Sequence, residues 1–148
     1  FFLNLSAEII QKLEVQGNSR ISDETIKVYG EINLGKEYSS FELNEVLKNL
    51  YKTDFFEDIK LSLTSGTLNI VVKEYPVINS IVFEGEKSNS VRDTVIEKLN
   101  LKEKQSFIEN KLSQDITLIK KIYASIGFNF ASVEPKIQKF DNNIINLI

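Results

Sequence analysis

Apolar Ile10, Leu13 and Val15 stand among polar residues in a stretch that ends at Gly17-Asn18, which predicts one short strand over about 9–16 closed by a glycine turn. Ser22-Asp23-Glu24 then offers an N-cap and an acidic first turn, with Ile26, Tyr29 and Ile32 as the apolar face of a short helix. Gly35 breaks that pattern. Ser39 and Glu42 have capping-box spacing, and Leu43, Val46, Leu47 and Leu50 follow at helical intervals, so a second helix is expected over 40–52. Beyond it Ile59, Leu61 and Leu63 alternate with Lys60, Ser62 and Thr64. Ser65-Gly66 reads as a hairpin turn and Leu68, Ile70 and Val72 as the returning strand.

The pattern then starts again. A second alternating stretch ends at Gly85, Val91, Val95 and Leu99 mark a helix, and Ser106 with Glu109 repeats the capping-box spacing. Leu112, Ile116, Ile119, Tyr123 and Ile126 predict a longer helix stopped by Gly127. Val133 and Ile137 are read as one strand with Pro135 inside it, Asp141-Asn142-Asn143 as a turn, and Ile145 and Leu147 as the start of the last strand. The chain ends within that strand, as a truncated piece of a longer protein does.

These are two tandem modules, 8–76 and 77–148, preceded by 1–7 as a signal-peptide remnant or N-terminal extension, with Ser6-Ala7 as a small-residue cleavage site. Each module has the order strand–helix–helix–strand–strand. The fold class expected is α+β, each module a three-stranded mixed sheet with two helices packed on one face. A right-handed crossover sets the first strand parallel beside the third, which leaves the second as an open edge. Tyr75, Pro76 and Val77 form the expected hinge between modules, because proline fixes a dihedral there.

With 42% hydrophobic residues the 148-residue chain is too apolar for disorder, and the net charge of −3 provides no basic stripe for nucleic acid. It contains no His and no Cys, which removes imidazole bases, thiol nucleophiles, disulfides and nearly every zinc-type site. No cofactor or metal is expected. Asp23, Glu24, Glu42, Glu45, Glu57 and Asp58 are its notable acidic neighbours, and all fit caps, helix faces or turns rather than acid–base chemistry. The chain is not read as an enzyme.

Gly17-Asn18, residues 55–59 and 72–76 in the first copy, and Gly85, Tyr123, Gly127-Phe128 and 131–133 in the second, resemble the POTRA (polypeptide-transport-associated) domains of the BamA family of outer-membrane assembly factors. The second copy departs from the pattern with Glu86 in place of Asn18 and with Pro135, which lacks a backbone donor. The resemblance implies a periplasmic array of a Gram-negative bacterium, anchored by a membrane β-barrel absent from this chain. Its implied partners are unfolded outer-membrane protein precursors and accessory lipoproteins. The binding site expected on this basis is the edge strand Asp58, Ile59, Lys60, Leu61, Ser62 and Leu63, to which a precursor adds a strand. The alternatives are a structural spacer or the array of a two-partner secretion transporter.

Overall fold

The computed structural model describes residues 7–148, so the stretch read as a signal remnant or extension lies, except for Ala7, outside the described residues. The chain divides into two compact units between Tyr75 and Pro76.

The first unit comprises β1 (Glu8–Ile9), β2 (Lys12–Gln16), α1 (Asp23–Tyr29), β3 (Glu37–Tyr38), α2 (Ser40–Tyr51), β4 (Phe56–Thr64) and β5 (Thr67–Glu74). The strand expected over 9–16 is in fact two. β1 pairs antiparallel with β3, whereas β2 pairs parallel with β5. The break falls at Ile10, whose side chain is fully buried while its amide and carbonyl bond to Lys36 and Gly35. The adjacent apolar pair Ile9-Ile10 interrupts the period-two pattern, and the chain turns there from one sheet to the other. Ser22 caps α1, and the Ser39–Glu42 capping box closes α2 from both sides. The Ser39 backbone amide and hydroxyl hold the Glu42 carboxyl below its usual range.

The main sheet has the order β2-β5-β4, with β4 antiparallel to the central β5. Ile26 from α1 and Val46 and Leu50 from α2 pack with Ile59, Leu68, Ile70 and Val72 into one core. Val71, on the opposite face of β5, is exposed. The helices therefore cover one face only.

The second unit repeats the arrangement with β6 (Val77–Ile81), α3 (Asn89–Lys98), α4 (Glu109–Ser125), β7 (Ile137–Phe140) and β8 (Ile144–Leu147), in the sheet order β6-β8-β7. Gly127 (φ 99°) ends α4 as expected. Its amide bonds to Ala124, that of Phe128 to Tyr123, and the Phe128 ring packs edge-on against Tyr123, a complete Schellman closure.

Two expectations fail here. The Ser106–Glu109 capping box does not form: α4 begins at Glu109 with Ile108 before it and no side-chain cap. The Phe107 amide instead bonds to the Pro76 carbonyl and Ser106 bridges to Val77, which draws this segment out as an extended partner of β6. Val133 and Pro135 also lie outside the edge strand, which starts only at Ile137. The second core is divided, with Ile78, Leu101, Ile145 and Leu147 in one cluster and Val95, Leu99 and Ile119 in another. Both units are α+β with a three-stranded mixed sheet, the last strand of each unit, β5 or β8, being central.

Candidate functional site

The hairpin turn between β4 and β5 decides what the edge of the first sheet presents. Ser65 (φ 49°) and Gly66 (φ 77°) both take positive φ, as a two-residue type I′ turn requires. Such a turn makes the flanking pair, Thr64 and Thr67, a hydrogen-bonded pair, and bonded and non-bonded pairs alternate from there. Ser62, Lys60 and Asp58 thus exchange bonds with β5. Ile59, Leu61 and Leu63 direct their backbone N–H and C=O groups away from it. Their side chains face the core, with Ile59 buried and Leu61 and Leu63 half-buried, while Lys60 and Ser62 are exposed. Among the described residues no strand pairs with this outer side of β4.

The edge is bounded at its N-terminal end. A register shift between Phe56 and Asp58 bulges the strand at Glu57, whose carboxylate meets the Lys73 ammonium across the ladder at 2.8 Å. That contact raises the Lys73 pKa, chiefly through the hydrogen bond to Glu57. Two residues on, the Ile59 amide donates to the Tyr51 hydroxyl at 3.0 Å, so the last residue of α2 reaches over the edge. Sequence reasoning missed Tyr51. It falls one residue past the apolar stripe of α2, and periodicity carries no signal of a hydroxyl reaching a neighbouring strand.

The residues expected as a hinge divide their bonds at the peptide between them. The Tyr75 amide donates to the Phe55 carbonyl in the first unit, while the Pro76 carbonyl accepts from Phe107 and Val77 bridges to Ser106 in the second.

Each unit secures the loop after its first strand with a carboxylate, and the two differ. Glu74, at the end of β5, accepts from the amides of Ser19, Arg20 and Ile21 at 2.8–3.1 Å. In the second unit Glu86 accepts the Tyr123 hydroxyl of α4 and the Ser88 amide. The Tyr123 bond is the main cause of a lowered Glu86 pKa, whereas burial and then the same bond push Tyr123 up to about 12. The sign follows from linkage. A phenol whose folded pKa exceeds its unfolded value stabilises fully below pH ~10, and this contribution fades as pH rises toward the folded value. The lowered Glu86 acts at the other end, stabilising above the ordinary carboxylate pKa and less as pH falls through it. Tyr123→Phe is expected to flatten the alkaline decline of the second unit's melting temperature between pH ~10 and ~12. Parallel curves for the two proteins would discount the contact.

The second edge is poorer. β7 has four residues against nine in β4. Lys136 and Ile148 exchange both backbone bonds, which by alternation turns Ile137 and Lys139 outward and places Pro135, without an N–H, at the same outward phase. Beside it lies a cavity of about 410 Å³ lined by Ile81, Phe83, Asp115, Tyr123 and Val133 among others, with Leu147 of one core cluster and Leu99 and Ile119 of the other in its wall. Among the described residues no His, Cys, Asp or Glu cluster could hold a metal ion, and no helix is long and apolar enough to cross a membrane.

Comparison with known proteins places this geometry. The outer membrane protein assembly factor BamA of Neisseria meningitidis serogroup B is 28% identical over 147 residues, covering 98% of this chain and 18% of the relative. That of Neorickettsia risticii is 26% identical over 141 residues, covering 95% and 19%. The chain thus spans roughly a fifth of these relatives. The solved N-terminal domain of Omp85 from the thermophilic cyanobacterium Thermosynechococcus elongatus shares the fold, with a TM-score of 0.57 and 18% identity over 95% of this chain and 61% of that one. The POTRA family model, described as surface antigen variable number repeat, matches residues 8–75 and again 76–148. With the same sheet order in both units and a match to each, the chain belongs to the POTRA family, of which it carries two copies.

Proposed function

We propose that this chain is a periplasmic POTRA pair of an outer-membrane β-barrel assembly factor, and that it binds unfolded outer-membrane protein precursors by strand addition along residues 58–63. The observation that carries this reading is the outward backbone of Ile59, Leu61 and Leu63 on a nine-residue edge with no strand partner among the described residues. Backbone hydrogen bonds attract any extended peptide regardless of side chains, which suits a protein serving many precursors. The relatives named as outer-membrane protein assembly factors support the setting. In it, a membrane β-barrel anchors the whole protein, accessory lipoproteins dock on the array, and Tyr75, Pro76 and Val77 act as a hinge. The role is binding rather than catalysis.

Leu61 and Leu63 offer four backbone groups between them. Four net bonds at about 1 kcal/mol each correspond to a dissociation constant of order 1 mM, before any side-chain contact. NMR titration suits that range. The probe is a ten-residue capped peptide of alternating valine and threonine with a lysine at each end, added to the ¹⁵N-labelled 148-residue chain. Saturable shifts centred on β4, abolished when proline replaces the alternate residues that donate to the edge, are the expected result. Absence of any saturable response would leave a spacer that only positions neighbouring modules. Relaxation on the same sample reports the hinge, since equal tumbling of the two units would dismiss it.

A further inference from the structure

We infer that Tyr51 sets where strand addition stops: its hydroxyl occupies the outward N–H of Ile59 and confines an incoming strand to Leu61 and Leu63, the half of β4 next to the turn. The inference rests on β4 being the docking edge. Outward positions recur every second residue, about 6.8 Å apart. An added strand that ran the length of β4 would pair successively at Leu63, Leu61 and Ile59. At Ile59 the donor is already bonded at 3.0 Å to a side chain anchored in the last turn of α2. The peptide must displace that hydroxyl or turn away. Immediately beyond, the bulge at Glu57 breaks the alternation that a longer pairing needs.

The second unit supports the same logic from a different residue. At the outward phase that precedes β7 stands Pro135, which has no donor. Both edge strands are thus closed at their N-terminal end, one by a proline and one by a borrowed hydroxyl. The difference matters because a hydroxyl can be displaced and a missing N–H cannot be supplied. In the first unit the stop is therefore a determinant of register and affinity that one substitution can remove.

The experiment uses the labelled chain, the valine–threonine peptide, and the variants Tyr51→Phe and Tyr51→Ala. Tyr51 is exposed at a helix end, so both variants should fold. In the peptide-free protein each variant should speed hydrogen exchange at Ile59 selectively. In the wild type the peptide should protect Leu61 and Leu63 and leave Ile59 unshifted. In both variants Ile59 should join the shifted set and the peptide should bind about threefold to tenfold tighter, the worth of one added backbone bond. Tyr51→Ala also removes the ring, and release of Ile59 in that variant alone, with Tyr51→Phe still blocked, would overturn the role of the hydroxyl. If Ile59 shifts with Leu61 and Leu63 in the wild type and both variants bind within twofold of it, the edge reading stands and the role of Tyr51 is overturned. If no residue of β4 responds in any of the three proteins, the edge reading falls and takes this inference with it.

Discussion

Gly17→Ala should unfold the first unit or lower its melting temperature by roughly 15 °C or more, whereas Gly85→Ala should lower that of the second by only about 5–10 °C. The two glycines hold equivalent places in the repeat and take nearly the same backbone angle, φ 85° and 87°. Their surroundings differ. A Cβ on Gly17 would lie 2.0 Å from the carbonyl oxygen of Val72 on the central strand, a collision of backbone with backbone that no rotamer change relieves. A Cβ on Gly85 would meet nothing within 4 Å. The second substitution therefore carries only the left-handed penalty of an L-residue, about 1–2 kcal/mol. The first adds displacement of the loop from β5, and with it the three amides that Glu74 holds, for a total of order 4 kcal/mol. A unit of this size has a total stability of about 4–10 kcal/mol. Thermal unfolding followed by unit-resolved amide signals separates the two cases, and equal shifts for both variants would show that the close approach at Gly17 carries no weight.

That contrast also marks how far the sequence could be read. Period and order revealed both modules, the parallel crossover and the edge position of β4, because alternation at Ile59, Leu61 and Leu63 and helical spacing at Leu43, Val46 and Leu50 are strong signals. Repetition misled where it was taken as equivalence. Ser106 and Glu109 have the spacing of Ser39 and Glu42, yet the Phe107 amide is claimed by Pro76 and the box never closes. A capping box is a local preference of about 1 kcal/mol, and a competing extended pairing outweighs it. The break at Ile10 and the reach of Tyr51 are tertiary facts with no local period. The buried carboxylates were legible in principle. Glu74 continues the inward alternation of Leu68, Ile70 and Val72, and Asp115 sits on the apolar stripe of Leu112, Ile116 and Ile119. An acid at an apolar phase signals a satisfied buried carboxylate.

Asp115→Ala is expected to lower the melting temperature of the second unit by roughly 15 °C or more while that of the first stays unchanged. Asp115 is 2% exposed and accepts from the amide of Asn100 at 2.7 Å, the side-chain amide of Asn100 at 2.8 Å and the amide of Leu101 at 2.9 Å. These bonds tie the linker after α3 to the middle of α4, at the seam between the unit's two small clusters. Charge-assisted bonds of this kind are worth roughly twice neutral ones, and truncation leaves donors unpaired beside the buried Leu101. The expected loss is about 3–5 kcal/mol, a large share of the roughly 4–10 kcal/mol that a unit of about 70 residues possesses. Asp115→Asn keeps the shape but turns an amide donor toward at least one of those N–H groups, so an intermediate loss of about 2–3 kcal/mol should follow. The cavity of about 410 Å³ that Asp115 lines supplies the opposing possibility. If water enters through it and satisfies the orphaned donors, Asp115→Ala will melt within a few degrees of the wild type. That result would show the carboxylate to be replaceable, with the two clusters held by apolar packing alone. A graded series, wild type above Asn above Ala, read as melting temperature of the second unit, would instead identify the carboxylate as the link that joins a divided core.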